Sequence, residues 1–232
     1  MKRDLAEPVF GGFSAKAFSF LKELAVQQNR DWFLEHKSEY EQELKEPLSL
    51  LVKALGLTLR AKRIDLECDP KRAIFRINRD IRFSKDKRPY KTNVGAAMTR
   101  NGDKNSPGVL YIHIDPAGSF TASGFYCPES PQLQAIRQQI VDRPKEFLSI
   151  LNKLAKAGFT LAQQDRLQRL PRGFETVESP EIGELLRLKS LVVIHPLPKK
   201  TLGDGPALIK EISDFAVTTH PLLQFGWTAV TL

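Results

Sequence analysis

The chain has 232 residues, 41% hydrophobic and 27% charged, with 14 Phe, an ordinary globular composition that can bury a sizeable core. No apolar run approaches the roughly 18–20 residues that span a bilayer, the basic start MKRDLAEPVFGGF lacks the apolar stretch of a secretion signal, and two cysteines make no disulfide framework. These features predict a soluble, reduced, cytoplasmic protein with no membrane partner. The formal net charge is +8, and residues 61–105 alone carry 13 Lys and Arg against 6 Asp and Glu. Nearly the whole excess is therefore local, a directed positive field that favours anionic partners.

The elements follow in chain order. Ser14 is a suitable N-cap for a helix whose stripe is Phe18, Leu21, Leu24 and Ala25, with Asn29 ending it. A longer helical pattern starts at Asp31, and Pro47 is expected to kink or split it. From residue 64 the period changes to two. IDLEC and AIFRIN alternate around DPKR, which reads as a type I turn, so a tight hairpin would set Asp65 opposite Arg76. Further strands are predicted at VGAAMTR (94–100), GVLYIHI (108–114) and SFTASGFY (119–126), joined by short turn-rich links that favour an antiparallel meander. Helices broken at Pro144 and capped at Gly158 come next, then a helix begun by Ser179-Pro180. A strand SLVVIHPLP and a last helix ending at His220-Pro221 close the pattern. The expected architecture is a single α+β domain over 1–232. Its mainly antiparallel sheet of about five or six strands packs against an N-terminal helical hairpin and C-terminal helices.

The stretch FRINRDIRFSKDKRPYKTN, residues 75–93, concentrates the charge. On a strand, Phe75, Ile77, Ile81 and Phe83 share one side, while Arg76, Asn78, Asp80 and Arg82 share the other. Arg79 breaks that alternation, which calls for a bulge or a buried carboxylate partner. Beyond it, Lys85, Lys87, Arg88 and Lys91 lie within seven residues, with Ser84 and Asn93 as neutral donors and Tyr90 as a stacking ring. Guanidinium and ammonium groups in this density suit phosphate oxygens. RLQRLPRGFE adds Arg172, and Lys189 follows; they would extend the site if folding brings them near. The predicted anion-binding set is thus Arg76, Arg79, Arg82, Ser84, Lys85, Lys87, Tyr90, Lys91, Asn93, Arg172 and Lys189.

Other chemistry is sparse. His36 shares a helix face with Trp32 and Tyr40; it is a proton-carrier candidate, although an amphipathic core stripe explains the face more simply. His113 follows Tyr111 on a strand and reads as an inward or edge residue. No histidine pair has zinc spacing, and no phosphate loop, dinucleotide fingerprint or serine elbow occurs. Cys127 precedes Pro128 and reads as a buried thiol. Asp65, Glu67, Asp80 and Asp86 are suitable ligands for Mg²⁺ beside a phosphate, and Asp80 and Asp86 are the catalytic candidates, each as a base or a metal ligand.

The segments NRDWFLEHKSEYEQELKEPL, FRINRDIRFSKDKRPYKTNVG, PRGFE and ELLRLKS together resemble a bacterial and fungal family, domain of unknown function 2461, over about residues 13–223. Its long signature falls on Arg79, Asp80, Arg82, Phe83, Ser84, Lys85, Asp86, Lys87, Pro89, Tyr90, Lys91, Thr92 and Asn93; Asn78 stands where the family often has an aromatic. The resemblance implies a stand-alone soluble domain and carries over no catalytic residue. Three functional expectations follow. The first is a site for phosphate groups of a nucleotide or nucleic acid. The second is an enzyme acting on a phosphate- or carboxylate-containing substrate through the Arg/Lys/Asp cluster. The third is a structural ion-pair network.

Overall fold

The structure is a computed structural model that describes residues 9–82 and 85–230. Helix α1 (Ala15–Val26) starts where Ser14 Oγ accepts from the Ala17 amide at 3.2 Å. Asn29 does not end it. That residue caps the next helix, α2 (Arg30–Glu35), by accepting from the Trp32 amide at 2.8 Å. The helical run continues through α3 (Lys37–Tyr40), a π-helical turn (Glu41–Lys45) and α4 (Glu46–Ala61). Pro47 therefore falls just after a wide turn, where its ring and missing N–H are accommodated without splitting the run.

The sheet has four strands rather than five or six: β1 (Val94–Thr99), β2 (Val109–Ile114), β3 (Phe120–Phe125) and β4 (Leu191–Pro196), antiparallel in that spatial order. The two missing strands are the charged ones. Asp69 caps Pro70 into a helical turn, α5 (Pro70–Ala73), where a type I turn was expected. Segments 64–68 and 74–78 pair with β1 through the isolated bridges Glu67↔Thr99 and Ile74↔Ala96 and form no strand among the described residues. Asp65 consequently pairs with Arg100, at 3.0 Å, and not with Arg76.

Between β3 and β4 run α6 (Ser130–Asp142), α7 (Pro144–Lys156) and α8 (Pro180–Leu186). Pro144 is the first residue of α7, Gly158 closes it at φ +83°, and Ser179 caps α8, as their local chemistry predicts. After α9 (Lys199–Leu202), α10 (Gly205–Ala229) runs straight past His220-Pro221. Burial of Leu222, Leu223, Phe225 and Trp227 outweighs the roughly 3 kcal/mol that an interior proline costs.

One sheet face, with Met98, Leu110, Ile112 and Ile114, is fully buried in the hydrophobic core, which α4, α7 and α10 share. The opposite face mixes small residues (Gly95, Ala97, Ala122) with rings and branched side chains (Tyr111, His113, Phe120, Val192, Ile194). Among the described residues no helix is long and apolar enough to cross a membrane.

Candidate anion-binding cleft

The uncovered sheet face forms the floor of a cleft of about 800 Å³. Strand register sets its composition. Gly95 lies opposite His113, Ala97 opposite Tyr111, Tyr111 opposite Ala122, and Ala122 opposite Ile194, all of them lining residues. The small residues leave space, while Phe75, Tyr111, His113 and Phe120 supply rings; His113 stacks on Phe120 at 4.6 Å. Gly95 is required for close approach: a Cβ there would sit 2.8 Å from both the Tyr111 hydroxyl and the Ile112 carbonyl oxygen.

One part of the lining is cationic. The Phe75 amide donates to the Gly95 carbonyl at 3.0 Å, fixing Phe75 and Arg76 at the outer edge of β1. Lys91, just before β1, and Lys104, in the β1–β2 connection, both reach over the Phe75 ring, at 5.4 and 5.2 Å from its centroid. Each ammonium donates to a backbone carbonyl, Lys91 to Arg76 and Lys104 to Ile74. Among the described residues neither forms a salt bridge. Lys91 is held below the ordinary lysine range, first by burial and then by the positive charges of Arg76, Arg79 and Lys104.

Asn93 also lines the cleft, and its amide nitrogen lies 3.3 Å from His113 Nδ1. The Tyr111 hydroxyl is 3.0 Å from the same nitrogen, and His113 Nε2 is 3.6 Å from Asp115. Burial lowers the His113 pKa against the opposing pull of Asp115, and burial pushes Tyr111 up to about 12.

The rest of the charged stretch is organised differently. Arg82 forks onto Asp80 through Nε at 3.0 Å and Nη2 at 2.7 Å, and Arg88 repeats the arrangement on Asp86 at 3.0 and 2.7 Å. Arg79, the residue out of alternation, meets Asp86 at 3.3 Å, and its Nε is buried with no hydrogen-bond partner among the described residues. The Arg79 amide donates to Pro89 O and the Lys91 amide to Ile77 O, closing the loop at its neck. Hydrogen bonds from Arg82 and Arg88 hold Asp80 and Asp86 well below the usual carboxylate range, which makes each a weak base.

Of the predicted anion-binding residues, Arg76, Lys91 and Asn93 therefore line the cleft. Arg79 and Arg82 pair within the loop, Lys85 is exposed, and Lys87 donates to Ile81 O at 2.9 Å. Ser84 lies outside the described residues. Tyr90 is 4% exposed and stacks on Phe33 at 4.4 Å, so its ring belongs to the core. Lys189 pairs with Asp165 at 2.8 Å, and Arg172 is exposed beside α6; neither lines the cleft. His36 stacks on Trp32 at 4.2 Å and contacts the Trp32 carbonyl, away from the cleft lining.

Cys127 is exposed at the cleft lip, not buried. Its backbone adopts φ +41°, and its amide donates to Ser190 Oγ at 2.9 Å. Among the described residues no three His, Cys, Asp or Glu side chains gather as a metal site requires. Sequence reasoning missed Lys104, Gly95 and Asp115. The period-two spacing Tyr111-x-His113-x-Asp115 was the available signal for the last of them.

The family model described as "Conserved hypothetical protein (DUF2461)" matches residues 16–225. The chain belongs to this family. No curated protein and no solved structure matches it. In this DUF2461 protein the family's long charged signature thus spans two settings, an ion-paired loop and the edge of an open cleft.

Proposed function

We propose that the cleft binds a phosphorylated small molecule of nucleotide size, its phosphate held by Lys91, Lys104 and Arg76 and its body lying over the Gly/Ala floor. One observation carries this reading: Lys91 and Lys104 converge on Phe75 with no carboxylate on either among the described residues, and burial, then the surrounding cations, already depress Lys91. An arriving anion relieves that repulsion in a partly desolvated site, where charge-assisted hydrogen bonds are strongest. The cleft volume falls within the range of small-molecule pockets. Nucleic acid is the second reading, favoured by the exposed Lys85 and Lys87 beyond the cleft.

The test is calorimetric titration with inorganic phosphate, nucleoside monophosphates and a single-stranded oligonucleotide at rising salt. The proposal expects mononucleotide binding that K91Q and K104Q each weaken. An oligonucleotide bound with a steep salt dependence, and no mononucleotide binding, would favour the second reading.

A further inference from the structure

Tyr111 and His113 lie on the cleft floor, with Asp115 against the far side of the His113 ring, and the row begins one ring away from the cations: Phe75 contacts Tyr111 edge-on at 6.1 Å and carries the two lysines on its face. Its hydrogen-bond polarity follows from the charge at one end. Asp115 faces His113 Nε2 at 3.6 Å, so the tautomer with a proton on Nε2 is favoured and a bare lone pair there would be repelled. That leaves Nδ1 as the acceptor. Two donors compete for it, Tyr111 Oη at 3.0 Å and the Asn93 amide at 3.3 Å, and the hydroxyl has the shorter approach. The depressed His113 and raised Tyr111 values agree with a neutral imidazole and a protonated phenol. With its proton committed to His113, the Tyr111 oxygen presents only lone pairs to the cleft.

We propose that Tyr111 is a specificity-determining acceptor that selects, among phosphorylated ligands, those carrying a hydroxyl about one ring width from the phosphate: sugar phosphates and the ribose phosphate portion of nucleotides. The proposal rests on the phosphate-binding reading of the same cleft. A site built to accept a hydrogen bond discriminates strongly against an analogue lacking the donor, because its buried acceptor is left without a partner. Gly95 serves the same arrangement, since only a residue without Cβ leaves the Tyr111 hydroxyl its place.

The experiment compares ribose 5-phosphate with cyclopentylmethyl phosphate, which keeps the five-membered ring and the phosphate but has no hydroxyl, with inorganic phosphate as a third probe. Wild-type protein is expected to bind ribose 5-phosphate at least fivefold tighter than the carbocycle, although the apolar walls favour the carbocycle. Y111F, with its fold checked by circular dichroism, is expected to bring the two affinities within twofold of each other. Equal binding of both esters by wild type, or a ratio that survives Y111F, overturns the proposal and leaves the phosphate reading intact. Binding of none of the three probes overturns both. Imidazole ¹⁵N shifts give a ligand-free check: His113 protonated on Nε2 supports the polarity, and protonation on Nδ1 alone overturns it.

Discussion

Two neighbouring regions of this protein are rich in cations and use them in opposite ways. In the loop between Arg79 and Pro89, the units Asp80-Ile81-Arg82 and Asp86-Lys87-Arg88 each fold an arginine back onto the aspartate two residues earlier, and Arg79 joins the second pair. At the cleft edge Lys91 and Lys104 have backbone carbonyls and a ring for company, and no acid among the described residues. Charge density alone does not distinguish a site from a clasp. The spacing of acids within the run does, because an aspartate two residues before an arginine can accept both its amide and its guanidinium.

Charge reversal at the cleft edge should erase this difference. K91E/K104E should lower affinity for inorganic phosphate or a mononucleotide by about a hundredfold or more, since each of the two charge-assisted contacts contributes about 1.5–3 kcal/mol. The readout is calorimetry, with circular dichroism confirming the fold; unchanged affinity would place the anion elsewhere. Next in size is G95A. Its Cβ would meet the Ile112 carbonyl oxygen and the Tyr111 hydroxyl, and overpacking of this kind costs about 1–3 kcal/mol in urea unfolding. A variant as stable as wild type would show that the floor yields.

Acidification tests the polar row and the helix behind the sheet. Burial holds His113 and His220 below the ordinary histidine value of 6.5, so the unfolded chain binds more protons than the folded one as pH falls. Stability should be full at about pH 7 and above, decline as pH drops through about 6.5, and flatten once the folded histidines protonate. A urea midpoint that rises on acidification from about pH 7 to about pH 5 would contradict this. The smallest effect is expected in the clasp: D80N removes two solvent-exposed ion pairs, with Arg82 at 2.7 Å and with Arg76 at 4.0 Å, and its urea midpoint should stay near that of wild type. A large destabilisation would show the loop to be a structural lattice for the sheet edge.

Much of the fold was legible because its punctuation is local. Ser14, Ser179-Pro180, Pro144 and Gly158 act on backbone groups within a few residues, and each works as its chemistry predicts. The four strands with apolar alternation formed. The errors lie where distant packing decides. Residues 64–68 and 75–82 alternate like strands, yet Asp69-Pro70 turns the chain into a helical turn and leaves single bridges to β1. His220-Pro221 looks like a stop, but the buried apolar face of α10 carries the helix onward.

The site divides in the same way. The sequence marks residues 75–93 as exceptional, and Arg76, Lys91 and Asn93 do line the cleft. It cannot mark Lys104 as their companion, because the two lysines meet only when Phe75 docks against Gly95.

Amide chemical-shift mapping with pyrophosphate reads cleft and loop in one titration and so shows directly which of the two takes the anion. The largest shifts are expected at Gly95, Lys104 and Tyr111, with Lys87 and Arg88 little changed. Shifts concentrated at Lys87 and Arg88, with the cleft amides unmoved, would contradict the cleft reading.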